Sequence, residues 1–330
     1  MIGTNSAGGG QPEGTGALLY TGSASDGTGG MWISVDDGQS WKQNSFTGID
    51  ATDYSYWRAS VKWTGSTFVA HKYNTNEIWS SVDGYNWLFN FSMNATSVTS
   101  IFTDQITSVA YISVVEPPVS GQTKNWYIYK STDGGINWSL QGSTTYYDFN
   151  TVGSVKAYNN YMVMTGDVGG RVSTDAGVSW SSQNSDIKNR NTEFIAQNGA
   201  WSALGPRNWN GWSRSTSLTP NNVSTWTQTQ NQFNAYMSSF IKHIGDGSNK
   251  ILGGMYGNSV WRLAYSTNNG ANWTQWKANN EYSPVIHHNG YFFYKDGGNL
   301  MKSNDFSTEI VASSYPSTSA VNFASITHSL

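Results

Sequence analysis

One pattern returns along the whole chain: a serine, an aspartate two positions on, a glycine two further and a tryptophan three beyond that. It reads Ser34, Asp36, Gly38 and Trp41 in "SVDDGQSW", Ser131, Asp133, Gly135 and Trp138 in "STDGGINW", and Ser173, Asp175, Gly177 and Trp180 in "STDAGVSW". "STNNGANW" keeps Ser266, Gly270 and Trp273 but puts Asn268 in the acidic slot. "SVDGYNW" is one residue shorter, with Ser81, Asp83, Gly84 and Trp87. Two weaker copies complete the series: "STSLTPNNVSTW" from Ser215 to Trp226, and "SNDFSTEI", which keeps Ser303 and Asp305 but has no tryptophan. A catalytic motif is needed once, whereas a motif repeated at a steady interval is scaffold.

The interval sets the architecture. The tryptophans at 41, 87, 138, 180, 226 and 273 are spaced by 46, 51, 42, 46 and 47 residues. A period in the forties is the length of one four-stranded propeller blade, and seven such units nearly use up 330 residues. The serine-to-tryptophan spacing resembles the Asp-box, or bacterial neuraminidase repeat. The expected fold is therefore all-β: a single seven-bladed β-propeller of four-stranded antiparallel blades.

Local chemistry explains the box as a turn between two strands. Such a turn leaves backbone N–H groups without ladder partners; an aspartate can accept them and glycine supplies a positive φ. Asn268 can replace an aspartate because acceptance, not charge, is required. The tryptophan then opens the next strand and fills the gap to the neighbouring blade.

Strand-like runs punctuated by turn residues fit this plan. In the second repeat they are 56–63, 67–73, 78–82 and 87–92; in the fourth, 151–158, 161–167, 171–174 and 180–184; in the sixth, 238–245, 250–257, 260–267 and 273 onward. Ahead of the first box lie only "GALLYTGS" and "GMWISV", and after the last comes a surplus strand, "AVNFASITHS". The C-terminal strand is thus expected to join the first blade and close the ring, which removes exposed edges. Residues 1–15 read as a Gly-rich arm and 16–330 as the propeller.

Composition excludes several functions. With no cysteine there is no disulfide framework or thiolate metal site. Charged residues are 12% and net charge is −3, so no basic footprint for nucleic acid is present. No run of apolar residues is long enough for a membrane span. The N-terminus has neither a basic nor an apolar region of a signal peptide. His287 and His288, adjacent in a strand, point to opposite faces and cannot share a metal. No cofactor and no metal site is expected.

Boxes join the third and fourth strands, so they lie on one face. The opposite mouth is built from loops carrying Tyr54, Trp57, Tyr146, Tyr147, Asp148, Arg190, Arg207, Trp209 and Tyr282, aromatic and polar groups suited to a sugar ring. Sialidases are similar in their boxes and would imply an arginine triad, a Tyr–Glu pair and an acid/base aspartate. Their Arg-Ile-Pro motif is absent, Arg171 and Arg214 lie in strands leading to boxes, and no glutamate offers itself to a tyrosine, so no catalytic residue is carried over. A glycosidase using Asp53, Asp148, Asp167 or Glu281 in the mouth is the alternative reading. The favoured expectation is a non-catalytic module of a virion, similar to Asp-box propellers of phage tail proteins. It would contact other assembly proteins through the arm and the propeller faces and could take a glycan. If not in a virion, the chain is expected to be extracellular or otherwise soluble.

Overall fold

A computed structural model describes residues 17–23, 29–44, 61–71, 77–93, 97–104, 106–116, 124–146, 152–166, 170–181, 193–198, 200–207, 211–215, 226–230, 237–257, 260–279, 285–314 and 322–328. Alternating and apolar runs between turn residues become strands, each sheet an antiparallel meander. The first sheet holds β1 (Leu18–Ser23), β2 (Gly29–Ser34) and β3 (Lys42–Asn44); the second, β4 (Val61–Trp63), β5 (Phe68–His71), β6 (Glu77–Ser81) and β7 (Leu88–Ser92). The third runs β8 (Ser97–Thr103), β9 (Ala110–Val115), β10 (Lys124–Ser131) and β11 (Ser139–Tyr146). The fourth has β12 (Val152–Tyr158), β13 (Tyr161–Gly166) and β14 (Arg171–Ser173). The fifth is β15 (Glu193–Gln197), β16 (Ala200–Arg207), β17 (Gly211–Ser215) and β18 (Trp226–Gln230). The sixth is β19 (Met237–Gly245), β20 (Ile251–Gly257), β21 (Val260–Ser266) and β22 (Thr274–Asn279). The seventh is β23 (Val285–His288), β24 (Tyr291–Asp296), β25 (Asn299–Ser303) and β26 (Ile310–Ser314). The last strand, β27 (Asn322–His328), pairs with β1, Leu18 opposite His328, and so makes the first sheet four-stranded in the order β27-β1-β2-β3.

The chain is an all-β propeller. Among the described residues, six sheets have four strands and one has three, which corrects the expectation of four throughout. In the fourth sheet Ser181 N–H donates to Val172 O at 2.8 Å and its hydroxyl accepts from Val172 N–H; the rest of the strand expected at 180–184 lies outside the described residues. The inner strands touch in order, β27 with β4, β4 with β8, and so on through β12, β15, β19 and β23 back to β27. Among the described residues no helix is long and apolar enough to cross a membrane.

Burial follows position in the sheet. β5 is buried at every residue and β24 at its four central ones, because both are second strands, flanked within the sheet and covered on both faces by neighbouring sheets. Their apolar runs are accordingly continuous rather than alternating. The outer strand β7 has Leu88 71% and Phe89 51% exposed. The core is divided into seams. Leu19 and Ile33 meet Phe68, Ala70 and Trp87 across the first seam; Phe102, Trp126 and Ile128 meet Val155, Met162 and Met164 across the third.

Candidate functional site

Every described box is one bonding unit. In the third, Ser131 Oγ accepts from Gly135 N–H at 2.7 Å and donates to Asp133 Oδ1 at 2.8 Å. Asp133 accepts in addition from the backbone N–H groups of Ile136 and Asn137 and from Asn137 Nδ2. Asp36 and Asp175 take the same partners from Ser40 and Ser179. Asn268 does the work of an aspartate, accepting from Ser266 Oγ and from Asn272 N–H. For Asp36, Asp83, Asp133 and Asp175, partial burial raises the carboxyl pKa, but the converging N–H and O–H donors outweigh it and hold each below its ordinary value.

The glycine has a second task. Gly135 has φ +96, and a Cβ there would stand 2.4 Å from Val69 Cγ2 of the preceding sheet. At Gly84 the nearest atom would be Ile33 Cδ1, and at Gly38 it would be Leu300 Cδ2. Each box thus presses its backbone against the sheet before it. The tryptophans pack toward that same sheet: Trp41 joins Leu18, Phe293 and Leu300, while Trp138 joins Val69, Ile78 and Phe91. Trp87, Trp138 and Trp273 donate Nε1–H to their own box glycine carbonyl, whereas Trp41 donates to Ser313 Oγ at 3.2 Å.

The seventh box departs from the pattern in two places. Phe306 occupies the glycine slot at φ 62, and Glu309 stands where the short box spacing would place the tryptophan. Phe306 is buried and stacks on Tyr265 at 4.5 Å, with Trp276 and Phe292 around it. Where other boxes leave no room for a side chain, the sixth sheet here opens a slot for one. Glu309 accepts from the hydroxyl of Tyr294 and lies 2.6 Å from Lys277 Nζ, which also pairs with Asp296. Burial, then the bond to Glu309, pushes the Tyr294 hydroxyl far above its usual range.

No glutamate was expected to pair with a tyrosine as a sialidase nucleophile; hydrogen-bonded Tyr–Glu pairs nevertheless occur at Tyr294–Glu309 and at Tyr127–Glu116. Tyr127 Oη donates to Glu116 Oε1 at 2.6 Å, and Asn125 donates to the same carboxylate from its side chain and its backbone. The Tyr127 bond, with the Asn125 donors, holds Glu116 below its usual value. No sequence signal marks these pairs, because the partners are 15 and 11 residues apart on different strands or loops.

Other residues tie turns across seams. Asp104, fully buried, accepts from Ile106 and Thr107 N–H in its own turn and from Asn159 and Asn160 N–H in the next sheet, at 2.7–3.2 Å. His288 is buried with Nε2 3.3 Å from Asp37 Oδ1, an oxygen that also accepts from Asn289 Nδ2. His287 lies against Phe292 and His288 against Phe293, on opposite sides of the strand as expected. Among the described residues no cluster of three metal-ligating side chains occurs.

Of the sequence-proposed mouth, Tyr54, Trp57, Tyr147, Asp148, Arg190, Trp209 and Tyr282 lie outside the described residues, as do Asp53, Asp167 and Glu281. Tyr146 ends β11 and Arg207 ends β16. Both are at the strand ends opposite the boxes, where that mouth was placed.

These features define a β-propeller stitched by Ser/Asp/Gly/Trp turns. Residues 129–140, the third box and its approach, match the BNR/Asp-box repeat family. No curated protein matches the sequence. Among solved structures, the chain is similar to Sqt1 of Saccharomyces cerevisiae, at 12% identity and a TM-score of 0.54, over 90% of this chain and 83% of that one. The β-propeller domain of the Trilobed protease from Pyrococcus furiosus gives 8% and 0.54, over 92% and 94%. Apo AztD from Citrobacter koseri gives 9% and 0.51, over 95% and 98%. At these identities the likeness is one of fold.

Proposed function

We propose that the chain is a non-catalytic interaction propeller whose seven sheets are the blades of one ring closed by β27, serving as a structural module of a viral particle and associated with its tail. The observation that carries this is how the reactive side chains are spent. Asp36, Asp83, Asp133 and Asp175 accept turn N–H groups, and the Tyr294–Glu309–Lys277 group ties two sheets together. Short, fully bonded turns give a rigid face for contact, and a polar, weakly charged surface suits a crowded assembly. In this reading residues 1–15 are an arm that docks on neighbouring virion proteins, 16–330 are the ring, and the mouth opposite the boxes meets a glycan. The test is proteomics of purified particles from the source culture. The chain should appear in fixed ratio to tail proteins; finding it only free in the medium would overturn the proposal.

A second reading, a glycoside hydrolase, is favoured by one observation: the Tyr127–Glu116 pair on the side of the third sheet away from its box. Turnover of arylglycosides that disappears in Glu116→Gln would establish it.

A further inference from the structure

At the box-side ends of the inner strands lies a cavity of about 80 Å³, walled by β4, β8, β12, β15 and β19. One water takes roughly 10–15 Å³ of such space, so the cavity holds about five or more. Two of the chain's 18 cationic residues line it, Lys62 from the second sheet and Lys156 from the fourth, and none of the described lining residues is acidic. The sheet between them contributes Phe102 and Thr103, and the wall beyond is largely apolar, with Ala157, Ile195 and Ile244.

The wall is built rather than left over. Gln197 lines the cavity with its amide held at both ends: Oε1 accepts from Gly247 N–H at 3.1 Å, and Nε2 donates to Lys250 O at 3.2 Å. A Cβ at Gly245 would stand 1.8 Å from that oxygen, so only glycine lets the amide lie there. In a chain of net charge −3 with 12% charged residues, two lysines lining one cavity with no acidic side chain among its described lining residues make a local arrangement that favours anions. Both lysines also engage other groups of the chain. An ammonium has three donors, so such contacts do not use up its capacity.

We infer that this cavity is a binding site for a small oxyanion, a phosphate or a carboxylate group, held between Lys62 and Lys156. The site is independent of the virion reading and of the mouth on the other face. Apolar walls strengthen the charge-assisted bonds, and Thr103 adds a hydroxyl donor.

The test uses the full chain and two probes, inorganic phosphate and glucuronate, by calorimetry and thermal melting, with sodium chloride at equal ionic strength as reference. At least one probe should bind and raise the melting midpoint beyond the chloride control. Phosphate alone would point to a free inorganic ion, and glucuronate to an acidic sugar. Lys62→Gln and Lys156→Gln should each weaken binding about tenfold, a factor for one lost charge-assisted bond. Lys62→Arg, which keeps the charge, should retain most of it. Lys130→Gln, outside the cavity on β10, should leave it unchanged. Absence of binding by both probes would overturn the inference, as would equal weakening in Lys130→Gln. A cooperative melt of each variant without anion shows that a loss of binding is not a loss of fold.

Discussion

At the scale of single residues the box separates acceptance from charge. Asp133→Asn should alter stability by less than about 0.5 kcal/mol, because Asn268 already makes the equivalent bonds. Asp133→Ala strands the Ile136 and Asn137 N–H groups and should cost about 1–2 kcal/mol, in the range of a lost helix cap. Urea unfolding of the two variants checks this; equal losses would mean that the negative charge itself matters. The acid limit follows from the same bonds. The box carboxyls have folded-state pKa values below the ordinary 3.8, so their stabilisation is complete above about pH 4 and is lost as pH falls through the lowered values. This much was legible from serine, aspartate and glycine spacing alone. The closeness of Gly135 to Val69 was not, since it depends on a side chain 66 residues away in another sheet.

Strands and turns were readable because their punctuation is local: the Asn159-Asn160 turn, both residues at positive φ, lies where the sequence placed it. Seams between sheets were not, because each is a contract between two repeats. The seventh box read as a weaker copy for want of a tryptophan. In the fold, the sixth sheet compensates by offering Tyr265 and Trp276 as a slot for Phe306, and Lys277 as a partner for Glu309. Phe306→Gly restores the box consensus yet should destabilise by about 2–4 kcal/mol: a buried aromatic costs about 3–5 and relief of the left-handed backbone returns about 1. A gain in melting temperature would show that the slot closes over. The seventh sheet carries its own pH dependence through its two adjacent histidines. Burial lowers the pKa of His288, against the opposing pull of Asp37, and Lys302 lowers it further; His287 is lowered by burial too, with Asp246 opposing and His288 and Lys250 adding. A histidine held neutral in the fold takes up a proton more readily when unfolded. Stability should therefore be full above about pH 6.5 and decline as pH falls below it. His288→Gln should flatten that decline in melts between about pH 7.5 and 5, and an unchanged slope would assign it elsewhere.

At the scale of the whole molecule, the proposed ring depends on a strand that arrives last. β27 covers the inner edge of β1 from Leu18 to Ser23, and it touches both β4 and β23. Without it, β1 would show a row of unpaired N–H and C=O groups beside Leu18 and Leu19, which are fully buried in the intact fold. An open apolar edge is a template for pairing with another chain. The inner strands of the second and seventh sheets would lose a shared neighbour at the same time, so the loss cannot stay within one sheet. Deleting residues 320–330 should accordingly give a protein that aggregates, or that melts broadly instead of in one transition. Adding a synthetic peptide of residues 320–330 should restore a single transition, since the vacated edge offers the β1 register set by Leu18 opposite His328. A truncated chain that stays monomeric and melts as sharply as the intact one would show that the other sheets hold the ring without this strand.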